Sequence, residues 1–168
     1  MVQDEGRFGR VNQPRRSWAG AGTRPVAPKQ VVRESFYVYA AVAPSLGKMT
    51  SLLLPYSDTE MMQLFLNQVS EDFKDYFIVM QIDRAGWHMS ENLKVPENIR
   101  LLPQPPYSPE LNPAEHLWEF IKENFLHNRL WKALDEVEDV VVDSLRALAA
   151  NPELLKSMTW FPHLRINL

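Results

Sequence analysis

Hydrophobic positions along this chain recur with two different periods, and the changes of period divide it into strands and helices. Residues 35–42 (SFYVYAAV) are rich in aromatic and β-branched types and are bounded by Pro44 and Gly47, which predicts a strand. A second strand over residues 49–54 follows that turn, so the two form an antiparallel hairpin. Asp58 or Thr59 caps a helix in which Met61, Leu64, Phe65 and Val69 recur at helical spacing. Residues 76–83 make an apolar run of the kind found in a strand buried on both faces. Strand, helix and strand in that order predict a right-handed crossover and a partly parallel, mixed sheet. Residues 2–5 read as the tail of a strand, and residues 6–29, rich in Gly, Pro and Arg, as loop with one short extended piece. A short helical piece near residues 90–93 and a strand over 98–102 come next, and Leu134, Val137, Val141, Leu145 and Leu148 mark the stripe of a long helix. A shorter helix over residues 152–158 completes the pattern.

Between the last strand and the first of these later helices lies LPQPPYSPELNPAE, residues 102–115. Its prolines fix φ near −65° and remove amide donors, so the segment is neither strand nor helix interior but a stiff, extended path. At its end Asn112 suits an N-cap, Pro113 the first helical position, and Glu115 falls three residues after the cap, where Leu117, Trp118, Ile121 and Phe125 begin one stripe. One reading of Glu115 is a capping-box partner for the Asn112 amide. The other is a carboxylate delivered to a site, because two more carboxylates, Asp4 and Asp83, close strand-like runs upstream.

Composition narrows the chemistry. A chain of 168 residues with 45% hydrophobic content is long enough for one well-packed core. It contains no cysteine, so any metal must be held by oxygen or imidazole, and a reducing, cytoplasmic setting is compatible. No apolar run approaches the roughly 20 residues of a membrane span. The net charge of −3 is unevenly spread: residues 1–33 carry +5, leaving −8 on the rest. An acidic bulk behind a basic entry segment suits a site that binds cations and then admits a polyanion.

Asp83 ends the most apolar strand, at the carboxyl edge of a parallel sheet where ligand sites of such folds lie, although an aspartate there also caps turns such as Ala85-Gly86. Like charges brought together raise one another's pKa unless a cation neutralises them. Magnesium takes oxygen ligands, keeps several waters and binds through a few carboxylates plus substrate phosphate, and two such ions roughly 3.5–4 Å apart can serve both the attacking and the leaving oxygen of a displacement at phosphorus. No Walker loop, zinc spacing or nucleophile elbow competes.

Three blocks carry a family resemblance: QDEGRFGR from Gln3, DRAGWH from Asp83 and PPYSPELNPAEHLW from Pro105. In this order, over residues 1–126, the chain resembles bacterial insertion-sequence transposases of the mariner-like superfamily, DDE superfamily endonucleases. The third block is the most specific. The resemblance implies an α/β, ribonuclease-H-like mixed sheet flanked by helices over residues 1–130, with a C-terminal helical extension over 131–168. It implies that Asp4, Asp83 and Glu115 form the catalytic triad and bind two divalent metals, Mg²⁺ or Mn²⁺. The reaction implied is DNA cleavage at transposon ends and transfer of the freed 3′-hydroxyl to target DNA. Between Asp83 and Glu115 lie 31 residues, a slightly shortened connection for that superfamily. Family members place a helix-turn-helix region before the first strand, so a separately encoded helix-turn-helix partner or a truncated copy is expected, and joining two DNA ends calls for a homodimer.

Neighbouring residues have two readings each. The Arg7, Arg10, Arg15 and Arg16 cluster is a DNA-backbone surface or a solvated loop. His88 approaches DNA or a phosphate, or is a capping or surface residue. Lys122, on the same helix face as Glu115, touches a phosphate or is solvated. Trp87 and Trp118 are core residues before they are base-stacking ones. Gln81 shares the strand face of Asp83 and is expected to hydrogen-bond near the site. Two rival functions remain: an inactive or domesticated remnant acting as a DNA-binding or assembly module, and a ribonuclease-H-like nuclease without transposition.

Overall fold

The structure, a computed structural model, describes residues 1–12 and 14–164. The last residues of the expected C-terminal extension, 165–168, lie outside the described residues. Strand β1 (Val2–Val11) is followed by β2 (Val31–Ala43) and β3 (Lys48–Leu54), then helix α1 (Thr59–Asp72), strands β4 (Ile78–Ile82) and β5 (Ile99–Pro103), and helices α2 (Glu115–Ile121), α3 (Leu134–Ala149) and α4 (Pro152–Thr159). The five strands form one sheet in the order β3-β2-β1-β4-β5. The first three pair antiparallel, whereas β1 with β4 and β4 with β5 pair parallel, as expected of a mixed sheet whose α1 connection carries the chain across two strands.

Alternation along each strand sorts side chains to two cores. On one face Met62, Phe65, Leu66 and Val69 of α1 pack on Tyr39, Ala41, Ile78, Met80 and Ile82. On the other, Leu117, Trp118 and Ile121 of α2, Val137, Val141, Leu145 and Leu148 of α3 and Leu155 of α4 cover Phe8, Phe36, Val38, Ala40 and Val42. Asp58 caps α1, its carboxylate accepting from the Met61 amide at 2.8 Å, and the Asn151 side chain does the same for α4 through the Leu154 amide.

Four sequence expectations change. β1 does not end at Glu5: Gly6 to Val11 continue it, because β2 offers an antiparallel ladder as far as Val11↔Val31, and the glycines are tolerated there. At Gly6 a Cβ would lie 2.7 Å from both the Phe8 and the Trp118 rings, so the missing side chain is what lets Trp118 lie across the strand. β4 is not buried on both faces, since α2, α3 and α4 sit over the other strands and leave Val79 and Leu102 open to solvent. Residues 90–93 form a turn closed by Leu93 N donating to Ser90 O, not a helix. Finally, α2 ends in a wide i→i+5 turn, with His127 N donating to Lys122 O at 3.1 Å. The extra residue in that turn moves the inward position on by one, so Leu126, and not Phe125, packs against the core.

Candidate active site

β1 and β4 are registered to each other only through Val2↔Gln81. Beyond that pair the strands part, and a cleft of about 460 Å³ opens, lined by Asp4, Asp83, Arg84, Gln104, Asn112, Glu115 and the proline loop. The three carboxylates singled out by the sequence therefore border one cavity. Asp4 is the third residue of β1, on the α2 side, Asp83 follows the last residue of β4, and Glu115 is the exposed first residue of α2.

Each is fixed by a different device. Asp4 Oδ2 accepts from the Trp118 indole Nε1 at 2.8 Å, so Trp118, a core residue at 2% exposure, also steers a carboxylate. Asp83 Oδ1 accepts both from the Ala85 amide at 2.8 Å and from His88 Nδ1 at 2.6 Å, which leaves Oδ2 without a hydrogen-bond partner among the described residues. The turn-capping reading of Asp83 and the cleft-facing one thus coexist. Glu115 is set by the loop before it. Asn112 Oδ1 accepts from the Ala114 amide while Nδ2 donates to the Gln3 carbonyl, joining the start of α2 to β1 next to Asp4. Gln81 donates to the Leu111 carbonyl at 2.9 Å and to Gln104 Oε1 at 3.1 Å, and Arg84 Nε donates to the Gln104 carbonyl, joining the same loop to β4. The expected hydrogen bonding of Gln81 near the site is present. The capping-box reading of Glu115 is not, because the Asn112 amide donates to the Pro109 carbonyl. Within the loop, Tyr107 is fully exposed at the rim of the cleft and held at φ 57°, a left-handed conformation that a residue with a Cβ adopts at a cost.

Electrostatics separate the two aspartates. Burial, and then the charge of Glu115, push the Asp4 carboxyl up to about 7 against the opposing Trp118 hydrogen bond. The hydrogen bond from His88 holds Asp83 below the usual carboxylate range, burial notwithstanding. Burial would lower His88, but hydrogen bonds and charge from Asp83 and Glu5 outweigh it and raise the imidazole to about 9.

His88 corrects the expectation of an accessible histidine. It is 3% exposed, with Nε2 on Glu5 Oε1 at 2.8 Å and Nδ1 on Asp83, so neither ring nitrogen is left for a phosphate. Glu5 is the residue that sequence reasoning missed, although its alternation with Gln3 on the strand face away from Asp4 was a readable signal of a polar pair in a covered layer. The arginines also divide. Arg10 is engaged internally, on Glu34 Oε2 at 2.8 Å and twice on the Trp131 carbonyl, so it is a structural tie and not a free DNA contact. Arg7, Arg15, Arg16 and Lys122 are exposed. Arg7, Arg15 and Lys122 line a groove of about 160 Å³ along β1 and the end of α2, where Lys122 Nζ stands 5.4 Å from the Phe8 ring and Arg15 pairs with Glu123.

The donor set suits a hard cation in kind. Its charged oxygens are those of Asp4, Asp83 and Glu115, and the Glu115 charge that, after burial, raises the Asp4 carboxyl is one a cation would relieve. Among the described residues no three of His, Cys, Asp and Glu converge closely enough to cage an ion.

Comparison with known proteins agrees with this architecture. Over 102 residues the chain is 46% identical to the protein y4pE/y4sA of Sinorhizobium fredii, described as uncharacterized, covering 60% of this chain and 76% of that one. The fold is shared with the Mos1 mariner paired-end complex containing Mn, at a TM-score of 0.66 and 15% identity over 95% of this chain and 53% of the other. It is shared likewise with the Mos1 strand transfer complex, at 0.62 and 15% over 95% and 53%. The chain spans about half the length of those transposase chains. Its sheet is thus the ribonuclease-H-like mixed sheet of that catalytic domain, and since the sequence profile of the DDE superfamily endonucleases matches residues 1–138, the chain belongs to that family.

Proposed function

We propose that this chain is the catalytic domain of a transposase that cleaves DNA at transposon ends and transfers the strand to target DNA. The observation that carries this reading is that Asp4, Asp83 and Glu115 all line one cleft where β1 and β4 part. These residues would hold two Mg²⁺ or Mn²⁺ ions, whose chemistry when bound is to activate an oxygen nucleophile and offset charge on the leaving oxygen at phosphorus. The protein's own part is placement. Trp118 orients Asp4, the Asn112 and Gln81 bonds tie the start of α2, where Glu115 stands, to β1 and β4, and the groove of Arg7, Arg15 and Lys122 binds DNA backbone, with Arg16 nearby on the same basic loop. Such contacts give affinity that falls with salt and carry little sequence information. Handling two DNA ends calls for a homodimer, sequence recognition for a helix-turn-helix partner or region, and the work belongs in the cytoplasm.

The test is Mg²⁺- or Mn²⁺-dependent nicking and joining of terminal-repeat DNA, with Asp83→Ala and Glu115→Ala as controls. Loss of a metal-assisted displacement is worth several kcal/mol, so both variants are expected to fall by about a thousandfold or more. Unchanged cleavage in both would remove the site. Nicking without joining would favour a nuclease, and tight DNA binding without cleavage a domesticated DNA-binding module.

A further inference from the structure

β1 reaches the cleft from both of its faces. Asp4 borders it directly, whereas Glu5 points to the opposite face and reaches it only through another residue. Glu5 Oε1 is held by Gln3 Nε2 at 2.9 Å, by Trp87 Nε1 at 3.4 Å and by His88 Nε2 at 2.8 Å, with its side chain 6% exposed. The His88 side chain is 1% exposed and its other nitrogen meets Asp83 Oδ1 at 2.6 Å. The run Glu5–His88–Asp83 therefore spans the gap where the β1–β4 ladder stops, replacing missing backbone bonds by a side-chain bridge.

Asp83 is a carboxylate, and an ionised carboxylate only accepts, so the ring donates to it at Nδ1. A donor at Nδ1 occupies Asp83 Oδ1 together with the Ala85 amide and leaves Oδ2, on a residue that lines the cleft, without a hydrogen-bond partner among the described residues. Carboxylates that bind metals are commonly held in this way by hydrogen bonds from outside the coordination sphere. We infer that His88, anchored by Glu5, is a positioning residue that presents Asp83 Oδ2 to a divalent cation. The inference rests on the reading of Asp83 as a metal-holding residue. A histidine that only fastened the 84–93 loop to β1 would depend on Nε2, the nitrogen that meets Glu5, and would tolerate glutamine better than asparagine.

Asparagine and glutamine substitutions separate these roles by length. An asparagine in place of His88 would carry its amide nitrogen two bonds from Cβ, as Nδ1 is, and a glutamine three bonds away, as Nε2 is. The experiment is a Mn²⁺ titration of the full chain followed by electron paramagnetic resonance of the free ion, without DNA, for H88N, H88Q, H88A and D83N, with thermal unfolding measured for each. H88N is expected to bind Mn²⁺ within about threefold of the parent, and H88Q and H88A about ten- to a hundredfold more weakly. Equal affinities for H88N and H88Q, or an unaltered H88Q while D83N loses the ion, would overturn the positioning role and leave the metal reading intact. Full Mn²⁺ binding by D83N would remove that reading and this inference together. If H88A does not fold, the contrast between the two amide variants still decides.

Discussion

Asp4 and Asp83 border one cleft from adjacent strands, yet their surroundings push them in opposite directions. On the β1 and α2 side, burial and Glu115 raise Asp4 to about 7. On the β4 side, a buried histidine bonded to two carboxylates draws Asp83 down. The difference teaches that burial beside a like charge disfavours ionisation at Asp4, while a buried donor favours it at Asp83. In the metal site proposed above, one carboxylate of each kind would serve attraction and placement.

Neutralising each aspartate in turn is the strongest way to break this comparison. A raised carboxyl pKa adds stability that is present below the unfolded value near 3.8 and lost as pH climbs through the folded value near 7. At pH 8 without metal, Asp4→Asn is therefore expected to stabilise the fold by up to roughly 4 kcal/mol, at about 1.4 kcal/mol per pKa unit. Asp83→Asn is expected to destabilise it by about 1–3 kcal/mol, since the amide oxygen can still accept from His88 but no longer carries the charge that strengthens that bond, at a partly exposed position. Denaturant unfolding of both variants across pH 4–9 checks the signs, and stabilisation by both would erase the contrast. The same series shows His88, whose raised pKa adds stability below about 6.5 that is lost as pH rises toward about 9.

A smaller effect comes from Trp118. Trp118→Phe keeps a ring in the core and removes the indole donor to Asp4, a hydrogen bond to a charged group worth about 1.5–3 kcal/mol to the ionised form. The pH midpoint of Mn²⁺ binding should move upward, because Asp4 becomes harder to ionise. An unshifted midpoint in a stably folded variant would detach Trp118 from the site. The smallest effect separates two cations. Lys122→Ala should weaken DNA binding and flatten its salt dependence by about one phosphate contact, whereas Arg10→Ala should cost stability and leave that slope alone. Filter binding at several salt concentrations with parallel melting curves distinguishes them.

Much of the fold is legible in the sequence because period and punctuation are local signals. The strand over residues 35–42, its hairpin partner, α1 and the α3 stripe follow from alternation, caps and prolines close together in the chain. β1 is longer than its local pattern suggests, because the glycines and arginines of residues 6–11 have poor strand propensity, and the ladder that rescues them belongs to β2, 20 or more residues away. The apolar β4 run misleads for the opposite reason. Val79 is as hydrophobic as a two-sided strand requires, but coverage depends on where α2, α3 and α4 settle.

At the site, the positions of the three carboxylates at the ends or starts of elements are readable, and so is the stiffness of the proline loop. Their partners are not. Trp118 is 114 residues from Asp4 and His88 is 83 from Glu5, and no local pattern reports such pairings. Nor does the sequence distinguish Arg10, bonded to Glu34 and Trp131, from its exposed neighbours Arg7 and Arg15. By itself the sequence determined element types, the acid-only donor set and the delivery of Glu115 by a rigid loop, because propensity, φ restriction and charge are properties of short segments. Only the tertiary structure decided which carboxylate is proton-loving, which is pinned and which arginine is tied up internally, because those depend on burial and on donors and acceptors that β1, β4 and α2 bring together from distant parts of the chain.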